Sequence, residues 1–284
     1  MCPKLIWKPK PKTDFYKDHW IPYPQGEAVL EKLASLLSFP DSVRTPGLLI
    51  YGDSNSGKTM LAKKFKKDVD QWHFNEDPSA TTSIVQMVET PPDKPTPKTI
   101  FRAILRELNA PAPNSYTSDR LLEQVIYLYQ QNNVQMLIID ELHNIGTISH
   151  NEQVTFLNAL KYLSNVANIR VVAIGVEEAY RILQLDQQLG SRFHPAHLLP
   201  WSVNDKEYAK FIIQLLQTAG FTPTKEEVTK SFVQNVHDMT NGLTGETKDL
   251  IMAAAHFAQS LNTAEIGIEL LQQLNWTPPL MRYR

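Results

Sequence analysis

The sequence predicts an α/β fold, in which a parallel sheet with helices on both faces is followed by a small all-helical domain. From residue 26 to about residue 200, short apolar segments alternate with segments of helical periodicity, a pattern typical of parallel strands connected by helices. After about Pro200 the apolar strand segments end and only helical patterns follow. A chain of 284 residues is long enough for one large or two modest domains, which agrees with this division.

Each predicted element rests on its own periodicity. The first helix, residues 26–39, repeats apolar side chains at helical spacing and stops at Pro40. The apolar strand segments are residues 47–51, 83–88, 134–139, 170–174 and 197–199. The helical segments between them are residues 58–70, 99–109, 119–131 and 152–164, and those after the sheet are residues 204–217, 224–237, 246–260 and 263–274.

These elements divide the chain into a basic arm (residues 1–25), a core (26–200), a helical domain (201–275) and a tail (276–284). The first 17 residues of the arm hold five lysines and three helix-blocking prolines. The arm is therefore either a solvated extension or a strap that packs on a neighbouring subunit or touches phosphate. The apolar and basic tail either docks on a partner or packs as an ordinary C-terminus.

Composition excludes several classes of protein. Apolar residues make up 42% and charged residues 20% of the chain, which argues against general disorder. No segment reaches the roughly 18–20 consecutive apolar residues of a membrane-spanning helix. The net charge of −2 excludes a generally polybasic protein, so DNA contact needs a local basic surface. Because there is no apolar leader and Cys2 is the single cysteine, we expect a cytoplasmic protein without disulfides.

A phosphate-binding motif follows the first strand segment and opens the next helix. Residues 52–59 match the pattern G-x-x-x-x-G-K-[ST] in the strand–loop–helix context that a P-loop requires. Backbone N–H groups of such a loop surround phosphates, and the helix N-terminus adds partial positive charge. Lys58 can reach the β- and γ-phosphates and the Thr59 hydroxyl can bind Mg²⁺. The predicted nucleotide-binding residues of this segment are Gly52, Asp53, Ser54, Asn55, Ser56, Gly57, Lys58, Thr59 and Met60.

Two acidic residues end the third strand segment. Asp140 and Glu141 follow an apolar run, and ligands bind at the carboxyl ends of parallel strands. We expect Asp140 to hold Mg²⁺, directly or through water, and Glu141 to orient and polarise the attacking water. His143 follows as either a structural histidine or a residue that senses the γ-phosphate. Arg192, after the fourth strand and a helix, is either a surface arginine, an arginine paired within the fold or an arginine finger for a neighbouring subunit.

Together these features resemble the AAA+ ATPases and, more narrowly, the TniB family, which includes TnsC-type transposition regulators of Tn7-like and CRISPR-associated elements. The resemblance covers roughly residues 18–260, and the order and spacing of its short motifs carry its specificity. The motifs are residues 21–24, 52–59, 140–144, 163–165, 186–193 and 242–245.

The resemblance implies an ATP-dependent DNA-binding regulator with a sheet of strand order 5-1-4-3-2 and a lid of C-terminal helices. Such proteins assemble on double-stranded DNA as homo-oligomeric rings or helical filaments. They bridge a target-selection protein of the TniQ type to a DDE transposase, and ATP hydrolysis controls their disassembly. ATP and Mg²⁺ are the implied cofactors.

The chain departs from the family pattern at two positions. Val176 follows Gly175 where the family often places a polar sensor, and a valine side chain cannot form hydrogen bonds. Glu246 stands where relatives carry a γ-phosphate-sensing arginine, so Lys248 is the nearest candidate for that role, without the bidentate fork of arginine. Both departures predict slow or partner-dependent hydrolysis.

The resemblance also implies DNA contacts on the loops after the second strand. The predicted DNA-binding residues are Lys94, Lys98, Thr99, Arg102 and Thr117. Such contacts to phosphate carry little base-sequence information, and a filament repeats them along the duplex. The alternative functions are a nucleotide-switched AAA+ scaffold that does not touch DNA and a helicase or initiator loader. The absence of a clear winged-helix pattern in the C-terminal segment argues against an initiator.

Overall fold

The computed structural model describes residues 20–40, 45–185, 187–221, 223, 228–263 and 265–282. Most of the predicted basic arm therefore lies outside the described residues. The chain forms two compact units. The larger, which we call the sheet unit, consists of Pro22–Trp201 and Leu243–Gly245. The smaller, the helical unit, contains Ser202–Gly242 and the chain from Glu246 onward.

The sheet unit is built on a single parallel sheet of five strands. The strands are β1 (Gly47–Gly52), β2 (Val85–Glu89), β3 (Met136–Asp140), β4 (Arg170–Gly175) and β5 (Phe193–Leu198). Their spatial order is β2-β3-β4-β1-β5, and every neighbouring pair is parallel. This arrangement confirms the predicted α/β fold and the strand order 5-1-4-3-2.

Helices surround the sheet because parallel strands need crossover connections. Those of the sheet unit are α1 (Pro24–Leu37), α2 (Lys58–Glu76), α3 (Pro97–Glu107), α4 (Ser118–Gln131), α5 (His150–Ala167), α6 (Glu177–Leu183) and α7 (Gln187–Gly190). Strands β3 and β4 are buried along their whole length, as their apolar sequences require. The main core forms where β1–β4 pack against α3, α4, α5 and α6.

The fifth strand begins earlier than predicted. The sequence indicated residues 197–199, whereas β5 runs from Phe193 to Leu198 and contains Pro195. A proline is disfavoured in a central strand because it cannot donate a ladder hydrogen bond. β5 lies at the edge of the sheet and pairs only with β1, so Pro195 is tolerated there.

The helical unit contains α8 (Lys206–Thr218), α9 (Lys230–Thr240), most of α10 (Thr244–Ser260) and α11 (Ile268–Gln273). The predicted helix over 224–237 starts only at Lys230, because the Thr229 hydroxyl caps it by accepting from the Phe232 N–H; residues 224–227 lie outside the described residues. The predicted helix over 263–274 is shorter, because α11 begins only after its N-cap Gly267, whose backbone is extended with φ −97° and ψ 178°.

The described part of the tail folds onto the helical unit. The Trp276 indole donates to the Met239 carbonyl at 2.9 Å. Arg282 makes two hydrogen bonds of 2.7 Å to the Glu246 carboxylate, one to each oxygen. These contacts pack part of the tail on the helical unit, while Leu280 and Met281 are 72% and 61% exposed.

We expect Arg282→Ala to destabilise the helical unit, because the Glu246 carboxylate is only 5% exposed and would lose its bidentate partner. The expected loss is roughly 1–3 kcal/mol; since the Arg282 side chain is 37% exposed, solvent screening favours the lower end. The measurement is the urea midpoint of the full chain by circular dichroism. Arg282→Lys should give an intermediate midpoint, and an unchanged midpoint for Arg282→Ala contradicts the assignment.

Candidate functional site

The P-loop adopts backbone conformations that its residue types permit. Gly52 ends β1 with φ 157°, and a Cβ there would lie 2.4 Å from the Leu198 carbonyl oxygen. Asn55 and Gly57 have φ values of 60° and 95°, in the left-handed region that glycine and asparagine tolerate best. Gly57 is the N-cap of α2, so the loop leads directly into the helix N-terminus.

Lys58 is buried at the first position of α2. Its ammonium group donates to the carbonyl oxygens of Gly52 at 3.0 Å and Asp53 at 2.6 Å. Burial lowers the pKa of Lys58, while the negative charges of Glu141, Asp140 and Asp53 oppose that shift. The Lys58 ammonium is thus held at the loop, and the two acids at the end of β3 are close enough for their charge to act on it.

Thr59 and Asp140 are joined across the site. The Thr59 hydroxyl donates to Asp140 Oδ2 at 2.7 Å, although the two residues are 81 positions apart. The second oxygen, Oδ1, accepts from the Glu141 N–H at 2.8 Å. A hydroxyl and a carboxylate are the hard oxygen ligands that Mg²⁺ takes from proteins, with phosphate and water completing its shell. The residues present therefore fit a magnesium–triphosphate site.

Glu141 follows Asp140 in an unusual backbone conformation. Its φ of 54° lies in the left-handed region, and it caps the 3-10 helix Leu142–Thr147. The His143 imidazole reaches back to it, with Nε2 lying 3.1 Å from Glu141 Oε2. Asn144 bonds the end of β2, since its side-chain amide donates to the Thr90 carbonyl at 2.9 Å.

Sequence reasoning missed the residues that support the P-loop. The Gly245 N–H donates to the Asn55 carbonyl at 2.9 Å, and the Trp201 indole donates to the Thr244 hydroxyl at 3.0 Å. Tyr23 packs against Trp201 with ring centroids 5.6 Å apart. Burial raises the pKa of Tyr23 to about 12, and a hydrogen bond with Thr244 opposes the rise. The motifs at 21–24 and 242–245 marked these segments, but nothing in their sequence predicts the contact.

Arg192 lies at the amino-terminal end of the parallel strands, whereas the P-loop lies at their carboxyl-terminal end. Its carbonyl accepts from the Gly47 N–H at 2.9 Å, at the start of β1, whereas the P-loop follows the end of β1. At ~3.3 Å per residue the strand separates the two by ~17 Å. The guanidinium donates to Asn165 Oδ1 at 2.7 Å, and its Nε is buried without a hydrogen-bond partner among the described residues.

The predicted DNA-binding residues lie around the starts of α3 and α4. Thr99 is part of the capping box of α3, and Thr117 caps α4 by accepting from the Arg120 N–H. The Lys98 ammonium donates to the Asn114 carbonyl at 2.9 Å. Lys98 also lines a groove of about 750 Å³ between α3, α4 and α5. The acids Asp119 and Glu123 line the same groove.

The remaining predicted DNA-binding residues differ in exposure. Lys94 is exposed in the loop before α3, with φ 42°. Arg102 is half-buried on α3. Lys248, the candidate phosphate sensor, lies on α10 within the helical unit.

The described residues contain neither a cluster of metal ligands nor a helix that could span a membrane. No group of three or more His, Cys, Asp or Glu side chains there is arranged to hold a metal ion. Within the same part of the chain, every helix is too short or too polar to cross a membrane.

The chain matches the model of a known protein family. The family described as "Bacterial TniB protein" matches residues 13–203, well over half of the chain. None of the curated proteins compared with the chain matches it.

Several solved structures share the fold. The ORC2 protein of Aeropyrum pernix, in ADPNP–ADP complexes, is 19% identical with a TM-score of 0.64, over 91% of this chain and 70% of that one. The ORC1 protein of Aeropyrum pernix in complex with DNA is 15% identical with a TM-score of 0.61, over 87% and 63% of the two chains. The RuvB Holliday junction branch migration motor of Thermotoga maritima is 14% identical with a TM-score of 0.53, over 88% and 68%. At these identities the similarity shows the AAA+ fold alone.

We expect Gly245→Ala to weaken nucleotide binding, although Gly245 itself is not a predicted phosphate contact. An added Cβ would lie 2.1 Å from Asn55 Oδ1 and 2.6 Å from its carbonyl oxygen, so the P-loop must shift. A strain of about 1–3 kcal/mol corresponds to a roughly 5- to 150-fold loss of affinity. The measurement is titration with a fluorescent ATP analogue.

Gly267→Ala is the matched control, because nothing lies within 4 Å of a Cβ built there. It should bind the analogue as the wild type does. Equal affinity for the Gly245→Ala variant and the control would show that this contact does not shape the P-loop.

Proposed function

The chain belongs to the TniB family, and on that premise we propose that it is an ATP-dependent, DNA-binding AAA+ regulator of DNA transposition. In this proposal it assembles on duplex DNA and links a TniQ-type target-selection protein to a DDE transposase, and ATP hydrolysis controls disassembly. The observation that carries the nucleotide-dependent part is the Thr59–Asp140 hydrogen bond of 2.7 Å, which joins the P-loop to the acidic end of β3.

Each part of the nucleotide site then has a role. The P-loop N–H groups and Lys58 bind the phosphates, and Thr59 and Asp140 hold Mg²⁺, which neutralises phosphate charge. Glu141 orients and polarises the attacking water from the same edge of the sheet. Lys58 supports this assignment, because its ammonium already lies within the influence of both acids.

Arg192 acts on the nucleotide of a neighbouring subunit. Its position beside Gly47, ~17 Å from the P-loop along β1, is beyond the reach of an arginine side chain. If Arg192 contributes to hydrolysis, it does so from a second copy of the chain. Oligomerisation and hydrolysis are therefore coupled, and the hydrogen bond to Asn165 holds the guanidinium near the surface from which it would act.

DNA contact is assigned to the loop before α3 and the start of that helix. Lys94 and Lys98 supply positive charge there, and repetition along a filament increases its effect. Asp119 and Glu123 beside Lys98 and the net charge of −2 favour the alternative, a nucleotide-switched scaffold without DNA. Electron microscopy of the protein with random duplex, in ATP and in ADP, separates the two: DNA-bound oligomers in ATP support the regulator.

We expect two inactive variants to regain ATPase activity when they are mixed. Lys58→Ala removes phosphate binding and Arg192→Ala removes the charge supplied to a neighbour, so each alone should lose roughly 10³-fold in turnover. In an equimolar mixture, about one interface in four pairs an intact P-loop with an intact arginine. ATPase activity measured with DNA present should therefore recover to about a quarter of the wild-type value.

Each variant alone, at the total protein concentration of the mixture, is the control for this experiment. Doubling the concentration of either variant alone should restore nothing. A mixture as inactive as its components would contradict action of Arg192 between subunits.

We expect Lys98→Glu to weaken DNA binding at least tenfold at low salt, because it places a negative charge at a phosphate contact. Nucleotide affinity should not change. Fluorescence anisotropy of a labelled duplex, titrated with salt in the presence of a non-hydrolysable ATP analogue, measures the effect.

Lys67→Glu on α2 changes the net charge equally at an exposed position and is the control. Equal duplex affinity for the Lys98→Glu and Lys67→Glu variants over the salt series would remove Lys98 from the DNA surface.

A further inference from the structure

We propose that His143 is a positioning residue that orients the Glu141 carboxylate for hydrolysis, from a place at the end of β4 where Val176 offers no polar side chain. This inference rests on the proposed ATPase function of the site. It assigns the histidine to hydrolysis rather than to the packing of the core.

The backbone of Glu141 is fixed, but its side chain needs a further constraint. Its carbonyl accepts from the Asn144 N–H at 2.9 Å, its N–H donates to Asp140 Oδ1 at 2.8 Å, and its φ is 54°. A non-glycine residue in this region is unfavourable, so surrounding contacts must offset its cost. The side chain itself is 37% exposed, so its rotamer is not set by burial.

His143 supplies that constraint. Its Nε2 lies 3.1 Å from Glu141 Oε2, and the imidazole is 27% exposed. The opposite nitrogen, Nδ1, is buried and has no hydrogen-bond partner in the described part of the chain. The only polar side-chain contact that the described residues give this imidazole is therefore the one to Glu141.

The His143 ring lies beside the end of β4. A Cβ built on Gly175 would lie 3.4 Å from both the His143 backbone nitrogen and its Nδ1, and 2.6 Å from the Ala179 Cβ. The approach that requires the glycine is the one to Ala179, while the imidazole lies at about van der Waals distance from the same point. The next residue, Val176, presents only methyl groups and cannot form a side-chain hydrogen bond with Glu141 or His143.

The Glu141 carboxylate lies within electrostatic reach of the P-loop lysine. Among the groups that raise the pKa of Lys58, Glu141 has the largest effect, ahead of Asp140 and Asp53. The carboxylate that His143 contacts through Oε2 is therefore one whose charge acts on Lys58. The neighbouring Asn144 is engaged elsewhere, since its side-chain amide donates to the Thr90 carbonyl.

The test compares two variants of similar size. His143→Leu removes the polar contact, and we expect kcat to fall about 10- to 100-fold while KM changes less than threefold, because positioning acts on turnover rather than on nucleotide binding. His143→Gln keeps an N–H donor and should recover at least part of the loss. Thermal unfolding should be near that of the wild type, since the leucine leaves no new buried polar group unpaired.

The same substitution in a Glu141→Gln background gives the decisive control. If His143 acts through Glu141, His143→Leu should cause little further loss of turnover there. Unchanged or faster turnover for His143→Leu, no rescue by His143→Gln, or an equal further loss in the Glu141→Gln background would each overturn the proposal. Equal turnover of the wild type and Glu141→Gln would instead refute the proposed hydrolysis itself.

Discussion

The hydrogen bond between Thr59 and Asp140 is the contact on which the arrangement of the site depends. β1 and β3 are not neighbours, because β4 lies between them, yet parallel strands bring their carboxyl ends to one edge of the sheet. That edge collects the P-loop, the paired acids and the end of β4. Burial of β3 and β4 along their whole length secures it, since sliding either strand would disrupt the close packing of its buried side chains.

Two residues at this edge adopt a backbone conformation that side chains disfavour. Asn55 of the P-loop and the acid Glu141 have positive φ values. The Asn55 carbonyl accepts from the Gly245 N–H, and the Glu141 carbonyl accepts from the Asn144 N–H. These hydrogen bonds help to offset the cost of the two conformations and pre-organise the site for a ligand.

The two ends of the parallel strands carry residues with different proposed roles. The carboxyl ends hold the residues assigned to a nucleotide. At the amino ends Arg192 lies beside the start of β1 and is hydrogen-bonded to Asn165. A single subunit cannot bring these together, because the length of β1 separates them. The proposed function follows from this separation. Hydrolysis of the nucleotide in one subunit depends on Arg192 of another, so hydrolysis and assembly are coupled. The proposed DNA contacts at α3 would link both to DNA binding.

The sequence alone determined the α/β class, the P-loop and the acids at 140 and 141, because alternating apolar patterns and a spaced motif are local properties of a chain. The strand order followed from the family resemblance and is confirmed. Only the tertiary structure decided that Gly245 supports Asn55, that His143 contacts Glu141 beside Gly175, and that Arg282 pairs with Glu246. Most of these partners are tens of residues apart, and periodicity holds no information about which side chains meet when strands and helices pack. The early start of β5 depended equally on its place at the sheet edge, where a proline is tolerated.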